Sequence, residues 1–358
     1  MNKLEMLREA LRGLHLDAAA IFCPETIFLL TGAAVDEGCC VVEPDRVTLV
    51  VESGAQPQRP GLRLITYKVC GFARPEHRQA NHRAALTGLL ASVRALGTDA
   101  DYAPFWLNRC LSDCEITDLS EWLESLRLTK PAAFEADFAR AAAVNHAAYA
   151  AVRKALRPGM TGPELLAEIS RAEILTAGGI TAFKGDFLIG RDTASIGGFS
   201  AETVAKPGDA VIVDLLSRVG GAHCDTTRTF FLGAPDDEQR RAYNAVLDAL
   251  RAGEALLRPG VTAAEVYRAV SARLEAAGCD PLPHHAGHGV GCSWYEPPYF
   301  IPGCTTPLQA GMIVTLEPGV YLRDRFGVRI ENNYLIEANG CRALFGGLTE
   351  LDDNTVGG

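Results

Sequence analysis

The strongest constraint on what this chain can fold into is an internal repeat. The stretch LRPGMTGPEL around Pro158 and Gly159 returns as LRPGVTAAEV around Pro259 and Gly260, 101 positions later. KPGDAVIVD, ending at Asp214, returns as QAGMIVTLE, ending at Glu317, 103 positions later. Each copy carries a threonine with a glutamate three residues on, Thr161 with Glu164 and Thr262 with Glu265, the pattern of a capping box at a helix start. Two agreeing offsets argue for a duplicated unit rather than chance. An approximate twofold would set equivalent strand ends face to face, so Asp214 is expected beside Glu317, and Asp225 beside Glu331.

A carboxylate on an apolar strand is costly to bury unless positive charge is near. Asp214 follows Val211, Ile212 and Val213, and Glu317 follows Ile313, Val314 and Leu316. Any one such acid is more often a salt-bridged or capping residue, but four at one sheet centre repel, and a pair of divalent cations relieves that repulsion. His288 adds a neutral nitrogen from the GHGVG loop, where Gly287, Gly289 and Gly291 permit close backbone approach. Asp214, Asp225, His288, Glu317 and Glu331 are therefore the candidate metal ligands. The hardness of the set favours manganese, with zinc, cobalt or iron as alternatives, over a thiolate-type site.

At 358 residues the chain exceeds the size at which one core keeps growing, so two domains are expected. With 48% hydrophobic and 22% charged residues it reads as an ordinary globular protein. A net charge of −10 without a basic block argues against nucleic-acid and anionic-membrane surfaces. The N-terminus is interrupted by Lys3, Glu5, Arg8, Glu9 and Arg12, an amphipathic helix rather than a signal peptide, and no apolar run approaches the ~18 residues of a membrane span. A cytoplasmic location follows as an expectation, in which the eleven cysteines stay reduced. Cys39 with Cys40, and Cys110 with Cys114 on one helix, read as small buried apolar residues.

Residues 1–128 read as an α/β domain: a helix over 2–14, strands near 17–23, 38–43, 47–52 and 64–68, and helices near 76–96 and 105–125. His77 and His82 fall on a charged segment read as a solvated helix face. Pro131 marks a linker. From 129 to 358, long alanine-rich helices alternate with the strands VIVDLL, TTRTFFL, MIVTLEPGVY and VRIENNYLIE. Their short connections predict a largely antiparallel curved sheet backed by four helices, an α+β domain.

The D-x10-D spacing from Asp214 to Asp225, the HAGHGVG loop, LEPGVY at 316–321 and GVRIEN at 327–332 together resemble the creatinase/aminopeptidase or pita-bread fold of the M24 metallopeptidases. Within it the chain is similar to the Xaa-Pro dipeptidase and aminopeptidase P group, whose catalytic domain follows a creatinase-like α/β domain. The resemblance spans nearly the whole chain. It implies that Asp214 chelates one ion, that Asp225 and Glu331 bridge two, and that His288 and Glu317 complete the other. It implies that a hydroxide bridging the ions attacks an amide carbonyl while Glu317 relays the proton, that His284 lies near the substrate, and that the protein is a homodimer acting on a small molecule or short peptide. Arg329, two before Glu331, is expected to hold a carboxylate ligand in place.

The family pattern also places a histidine where this chain has Gly197, and another where it has Tyr295. Tyr295 offers an O–H in place of imidazole, though a phenol with a pKa near ~10 shuttles protons poorly at neutral pH. Strand alternation turns Cys224 away from Asp225 and His223 toward it, so His223 is a candidate for the pocket and Cys224 is expected in the core, while Cys292 ends the glycine loop. His285 has no counterpart in the pattern. Creatinase, ectoine hydrolase and a dimethylsulfoniopropionate lyase share this fold without cleaving peptides. Three readings follow: a dinuclear metal hydrolase cutting an amide in a small substrate; a C–N hydrolase or lyase acting on a small zwitterion, its pocket reshaped by Gly197 and Tyr295; and a silent binding protein, against which five costly ligand side chains argue.

Overall fold

In the computed structural model, which describes residues 2–53, 61–68, 78–179, 181 and 185–357, the chain divides into two compact units, Met1–Arg127 and Leu128–Gly358. The first is built in the order α1 (Lys3–Gly13), β1 (Ala18–Ile21), α2 (Pro24–Thr31), β2 (Gly38–Val42), β3 (Val47–Glu52), β4 (Arg63–Tyr67), α3 (Arg78–Leu89), β5 (Ala95–Thr98), α4 (Trp106–Cys110), β6 (Glu115–Asp118) and α5 (Ser120–Arg127). Its six strands form one mixed sheet, ordered β4-β3-β2-β1-β5-β6. Asp99 fastens the end of β1 by accepting the backbone N–H groups of Phe22 and Cys23.

Three expectations fail in this unit. The segment expected as a helix over 105–125 is helix, strand and helix, because Glu115–Asp118 pairs in parallel with β5, and a sheet edge outweighs local helix propensity. His82 is buried rather than solvated: its ring stacks on Tyr67 at 4.8 Å and meets Trp106 edge-on. Cys110 ends α4, so it shares no helix with Cys114, and both are only partly buried. His77 lies outside the described residues.

The second unit carries α6 (Phe134–Ala155), α7 (Gly162–Ala177), β7 (Phe187–Ile189), β8 (Ala210–Val219), β9 (Ala222–Leu232), α8 (Asp237–Glu254), α9 (Ala263–Ala276), β10 (His288–Gly289), β11 (Glu296–Tyr299), β12 (Ile313–Leu316), β13 (Gly319–Leu322), β14 (Phe326–Arg329), β15 (Asn332–Glu337), β16 (Gly340–Phe345) and β17 (Thr355–Val356). The sheets run β17-β9-β8-β7 and β11-β10-β12-β15-β16, with β13 and β14 as a separate hairpin.

The repeat is visible in the bonding. Both capping boxes form. The Gly159 N–H donates to the Ala205 carbonyl, and Gly260 repeats this with Leu308. Thr161 bridges Val204 as Thr262 bridges Pro307. Gly159 and Gly260 have φ of 87° and 89°, and Gly208 and Gly311 have 90° and 91°, left-handed turns in which glycine avoids the Cβ penalty. The β7–β8 pair is matched by β10–β12, both antiparallel.

Two expected long strands are broken. MIVTLEPGVY divides into β12 and β13 at Glu317 and Pro318, and VRIENNYLIE divides into β14 and β15 at Ile330 and Glu331. Backbone groups freed at a buried break need partners. The Glu331 N–H donates to the Thr227 carbonyl, and the guanidinium of the fully buried Arg228 donates to the Glu331 carbonyl at 2.6 Å. The Glu317 N–H donates to the Ala286 carbonyl. Strand β9 is buried along its whole length, and Asn145 on α6 ties it to β8 by donating to the Leu215 carbonyl and Thr226 Oγ1.

Candidate metal centre

The two broken strands and the β8–β9 pair place the five expected ligands. Asp214 lies opposite Thr227, and Asp225 opposite Leu216. Asn333 fixes the Asp225 backbone by accepting its N–H and donating to its carbonyl. His288 lies within hydrogen-bond distance of its neighbour's carbonyl, with Nδ1 2.9 Å from the Gly289 oxygen. That bond sets the Nδ1–H tautomer and leaves Nε2 with its lone pair. Nε2 is 3.4 Å from Glu317 Oε1 and 3.8 Å from Asp225 Oδ2. One donor atom each from Asp225, His288 and Glu331 lies within 4.8 Å of the others.

Behind the glycine loop, the ammonium of Lys130 meets Glu296 at 2.6 Å, both side chains nearly sealed from solvent. A Cβ on Gly291 would come within 2.9 Å of the Lys130 chain, so glycine there is required by that close approach as well as by a φ of 133°.

Without cations this cluster is electrostatically expensive. Burial, then the neighbouring Asp214 and Glu317 charges, push the Asp225 carboxyl well above the usual range. Glu331 rises likewise through burial and Asp225. Asp214 rises to about 6, again through burial, which the Arg329 guanidinium partly offsets. Glu317 goes the other way: burial raises it, but the contact with His285 and the imidazoles around it hold it at about 2. Glu331 Oε2 accepts from Thr227, while its Oε1 is buried with no hydrogen-bond partner among the described residues. An orphaned, sealed carboxylate oxygen beside another buried acid and an imidazole lone pair is a donor set that fits divalent cations.

A cavity of about 510 Å³ opens onto this cluster. His284, Tyr295 and Arg329 line it, as do Asp186, His285, Ile196 and Trp294. Arg329 is fully committed. Nε donates to Thr227 Oγ1, Nη1 to the Ile196 carbonyl and the Tyr321 hydroxyl, and Nη2 to Asp186 at 2.9 Å and Asp214 at 2.7 Å. All five guanidinium N–H donors are spent inside the protein. His284 is committed as well, with Nδ1 2.6 Å from the His285 carbonyl and Nε2 2.9 Å from the Tyr321 hydroxyl. Tyr295 stacks on Tyr299 and leans against His285 and His288.

Two candidates lie away from the cavity wall. His223 turns its Nδ1 toward the Gly291 carbonyl, 3.2 Å away. Gly197 is beside the wall residue Ile196, and a Cβ there would sit 3.0 Å from both carboxylate oxygens of Asp186. Cys224 is buried with its thiol on Asn333, and Cys292 is buried outside the lining.

Two wall residues, His285 and Asp186, and Tyr321 beside the wall had no role at the level of sequence. His285 brings Nδ1 to 3.1 Å from Glu317 Oε1. Tyr321, on β13 past the break at Glu317 and Pro318, meets His284 Nε2 and Arg329 Nη1 with its hydroxyl. Asp186 has a signal only in the repeat: its carbonyl accepts the Asp214 N–H as the Ala286 carbonyl accepts that of Glu317.

Residues 136–338 match the family model described as metallopeptidase family M24, and residues 3–129 match the creatinase/prolidase N-terminal domain. The chain is 26% identical to an uncharacterized peptidase, YqhT, of Bacillus subtilis over 349 residues, 96% of this chain and 97% of that one. It is 29% identical to an Xaa-Pro dipeptidase of Pyrococcus furiosus over 231 residues, 64% and 66% of the two chains. Its fold matches the crystal structure of an X-Pro aminopeptidase from Thermotoga maritima with a TM-score of 0.86 at 19% identity, covering 99% of this chain and 100% of that one. With its creatinase-type N-terminal domain, its pita-bread catalytic domain and a buried acid–imidazole cluster suited to divalent metal, the chain belongs to metallopeptidase family M24 and is a hydrolase.

Proposed function

We propose that this hydrolase uses two divalent ions, manganese in the first place, to cleave the amide bond of a short peptide of the Xaa-Pro type. The observation that carries the reading is the sealed donor set, above all Glu331, which has an orphaned buried oxygen and clusters with Asp225 and His288. Asp214, Asp225, His288, Glu317 and Glu331 would hold the ions. When bound, such a pair supplies Lewis acidity, polarising a carbonyl and lowering the pKa of water. The chain's own residues do the rest. Arg329 fixes the Asp214 carboxylate in one orientation. Glu317, whose Oε1 is within reach of His285 and His288, takes the proton from the attacking water and delivers it to the leaving nitrogen. His284, held by the Tyr321 hydroxyl behind it, is a fixed polar part of the wall, and the Tyr295 hydroxyl is a donor for the substrate.

One observation favours a second reading. With glycine at 197 and Asp186 filling the adjacent space, the cavity offers an acceptor where the family pattern has an imidazole, and this suits a C–N hydrolase or lyase acting on a small zwitterion. Metal analysis followed by turnover of Ala-Pro, longer Xaa-Pro peptides and small zwitterionic amides separates the two. Near two ions per chain with Ala-Pro cleavage is expected. Full metal loading without cleavage of any proline peptide would favour the second reading, and absence of near-stoichiometric metal would defeat both.

A further inference from the structure

His285 is the imidazole beside the metal cluster to which neither reading gives a task. Its Nδ1 is sealed from solvent and makes no hydrogen bond among the described residues, although Glu317 Oε1 is only 3.1 Å away. His288 Nε2 lies 3.4 Å from that same oxygen. Donor atoms about 2.1 Å from one ion stand about 3.0 Å apart along an octahedral edge and about 3.4 Å apart along a tetrahedral one. Both separations are therefore those of neighbouring ligands on a shared cation. The two rings cross at 82° with centroids 5.3 Å apart, so neither blocks the other. The backbone holds the arrangement, because the Ala286 carbonyl, one residue past His285, accepts the Glu317 N–H. His284 groups with His285 and Glu317 in space, but its own ring nitrogens are already placed on the His285 carbonyl and the Tyr321 hydroxyl.

We propose that His285 is a sixth metal ligand, binding through Nδ1 the ion that His288 and Glu317 also hold. The two ion positions then differ, one having two imidazoles and the other carboxylates alone. Imidazole suits zinc and cobalt better than manganese, so His285 makes one position discriminate between metals. The inference rests on the two-ion reading of the site, and its test is read from binding and spectra rather than from turnover.

Metal-free, full-length wild type, His285→Gln and His285→Ala are titrated with cobalt and with manganese by calorimetry. Proton NMR of the cobalt-loaded proteins counts the imidazole N–H signals that the paramagnetic ion moves out of the ordinary range. Two such signals are expected in wild type and one in each variant. Cobalt affinity should fall by about 100-fold in both variants, the upper end of what loss of an outer partner costs, and manganese affinity by less than about tenfold. Glutamine separates the roles, since its amide still donates a hydrogen bond to Glu317 but is a poor ligand. The proposal is overturned if wild type shows a single shifted signal, or if cobalt and manganese affinities fall by the same factor. It is overturned equally if His285→Gln keeps the wild-type cobalt affinity, which would reduce His285 to a hydrogen-bonding support for Glu317. Wild type that binds neither metal would defeat the two-ion reading itself, whereas tight metal binding indifferent to His285 counts against this proposal alone.

Discussion

At the scale of single residues, Arg329 shows why the site needs arginine rather than any cation. Five acceptors converge on it: Thr227, the Ile196 carbonyl, Tyr321, Asp186 and Asp214. Lysine keeps the charge but has three donors around one nitrogen and cannot span a planar fork. Arg329→Lys is therefore expected to lose about 3 kcal/mol of unfolding free energy, the scale of breaking a buried ion pair. It should also weaken metal binding by about 10–100-fold, as loss of an outer partner of a ligand does. Urea denaturation of the metal-free protein and metal titration measure the two effects separately. An unchanged denaturation midpoint would mean that the network contributes nothing to the fold. That these acids gather at one cavity was legible because an acid ending a run such as Val211–Val213 is anomalous on any strand. His285 and Asp186 were not legible, since a histidine in a loop and an aspartate before a three-residue strand are anomalous nowhere until the fold brings Glu317 and Arg329 against them.

At the scale of elements, helices α7 and α9 were readable from their capping boxes, and β8 and β9 from their β-branched runs. The breaks at Glu317 and Glu331 were not, because the groups that make them affordable, Arg228, Thr227 and Ala286, are remote in sequence or carry no local signature. Residues 105–125 failed for the same reason: pairing with β5 is a tertiary event. Helix α7 holds a further element-scale consequence. Its buried stripe continues from Leu165 and Ile169 to Glu173, which is 3% exposed. Burial pushes the Glu173 carboxyl from its ordinary 4.5 up to about 7. A carboxyl whose folded pKa is raised holds its proton more tightly in the native state, so its favourable contribution is complete below about pH 4.5 and is lost as pH rises through 7. The loss amounts to about 3 kcal/mol at pH 8. Glu173→Gln is expected to be more stable than wild type above pH 7 and to flatten the stability slope between pH 5 and 8. Denaturation midpoints at pH 5 and pH 8 test it, and equal slopes in the two proteins would place the ionised carboxylate in contact with water.

At the scale of the whole molecule, the proposed metal ligands come from both halves of the repeat: Asp214 and Asp225 from β8 and β9 in the first, His288, Glu317 and Glu331 from β10 and the strand breaks in the second. Each half has its own helix pair behind its sheet, so the cluster is where the halves meet and where like charges concentrate. Cations bound there act as cross-links that exist only in the folded state, and they stabilise it by mass action, by about 2.7 kcal/mol when free metal is a hundred times its dissociation constant. For a unit of this size that corresponds to an upward shift of about 5–10 °C in the melting temperature. Scanning calorimetry with excess manganese and with a chelator should show that shift in the transition of the 128–358 unit. In Asp225→Asn, which removes one buried negative charge along with a ligand, the shift should shrink to a small fraction, while the metal-free protein melts no lower than wild type because repulsion within the cluster has been relieved. Two outcomes would count against a cluster assembled from both halves: a melting temperature indifferent to metal in the wild type, or an Asp225→Asn protein that responds to metal as fully as the wild type does.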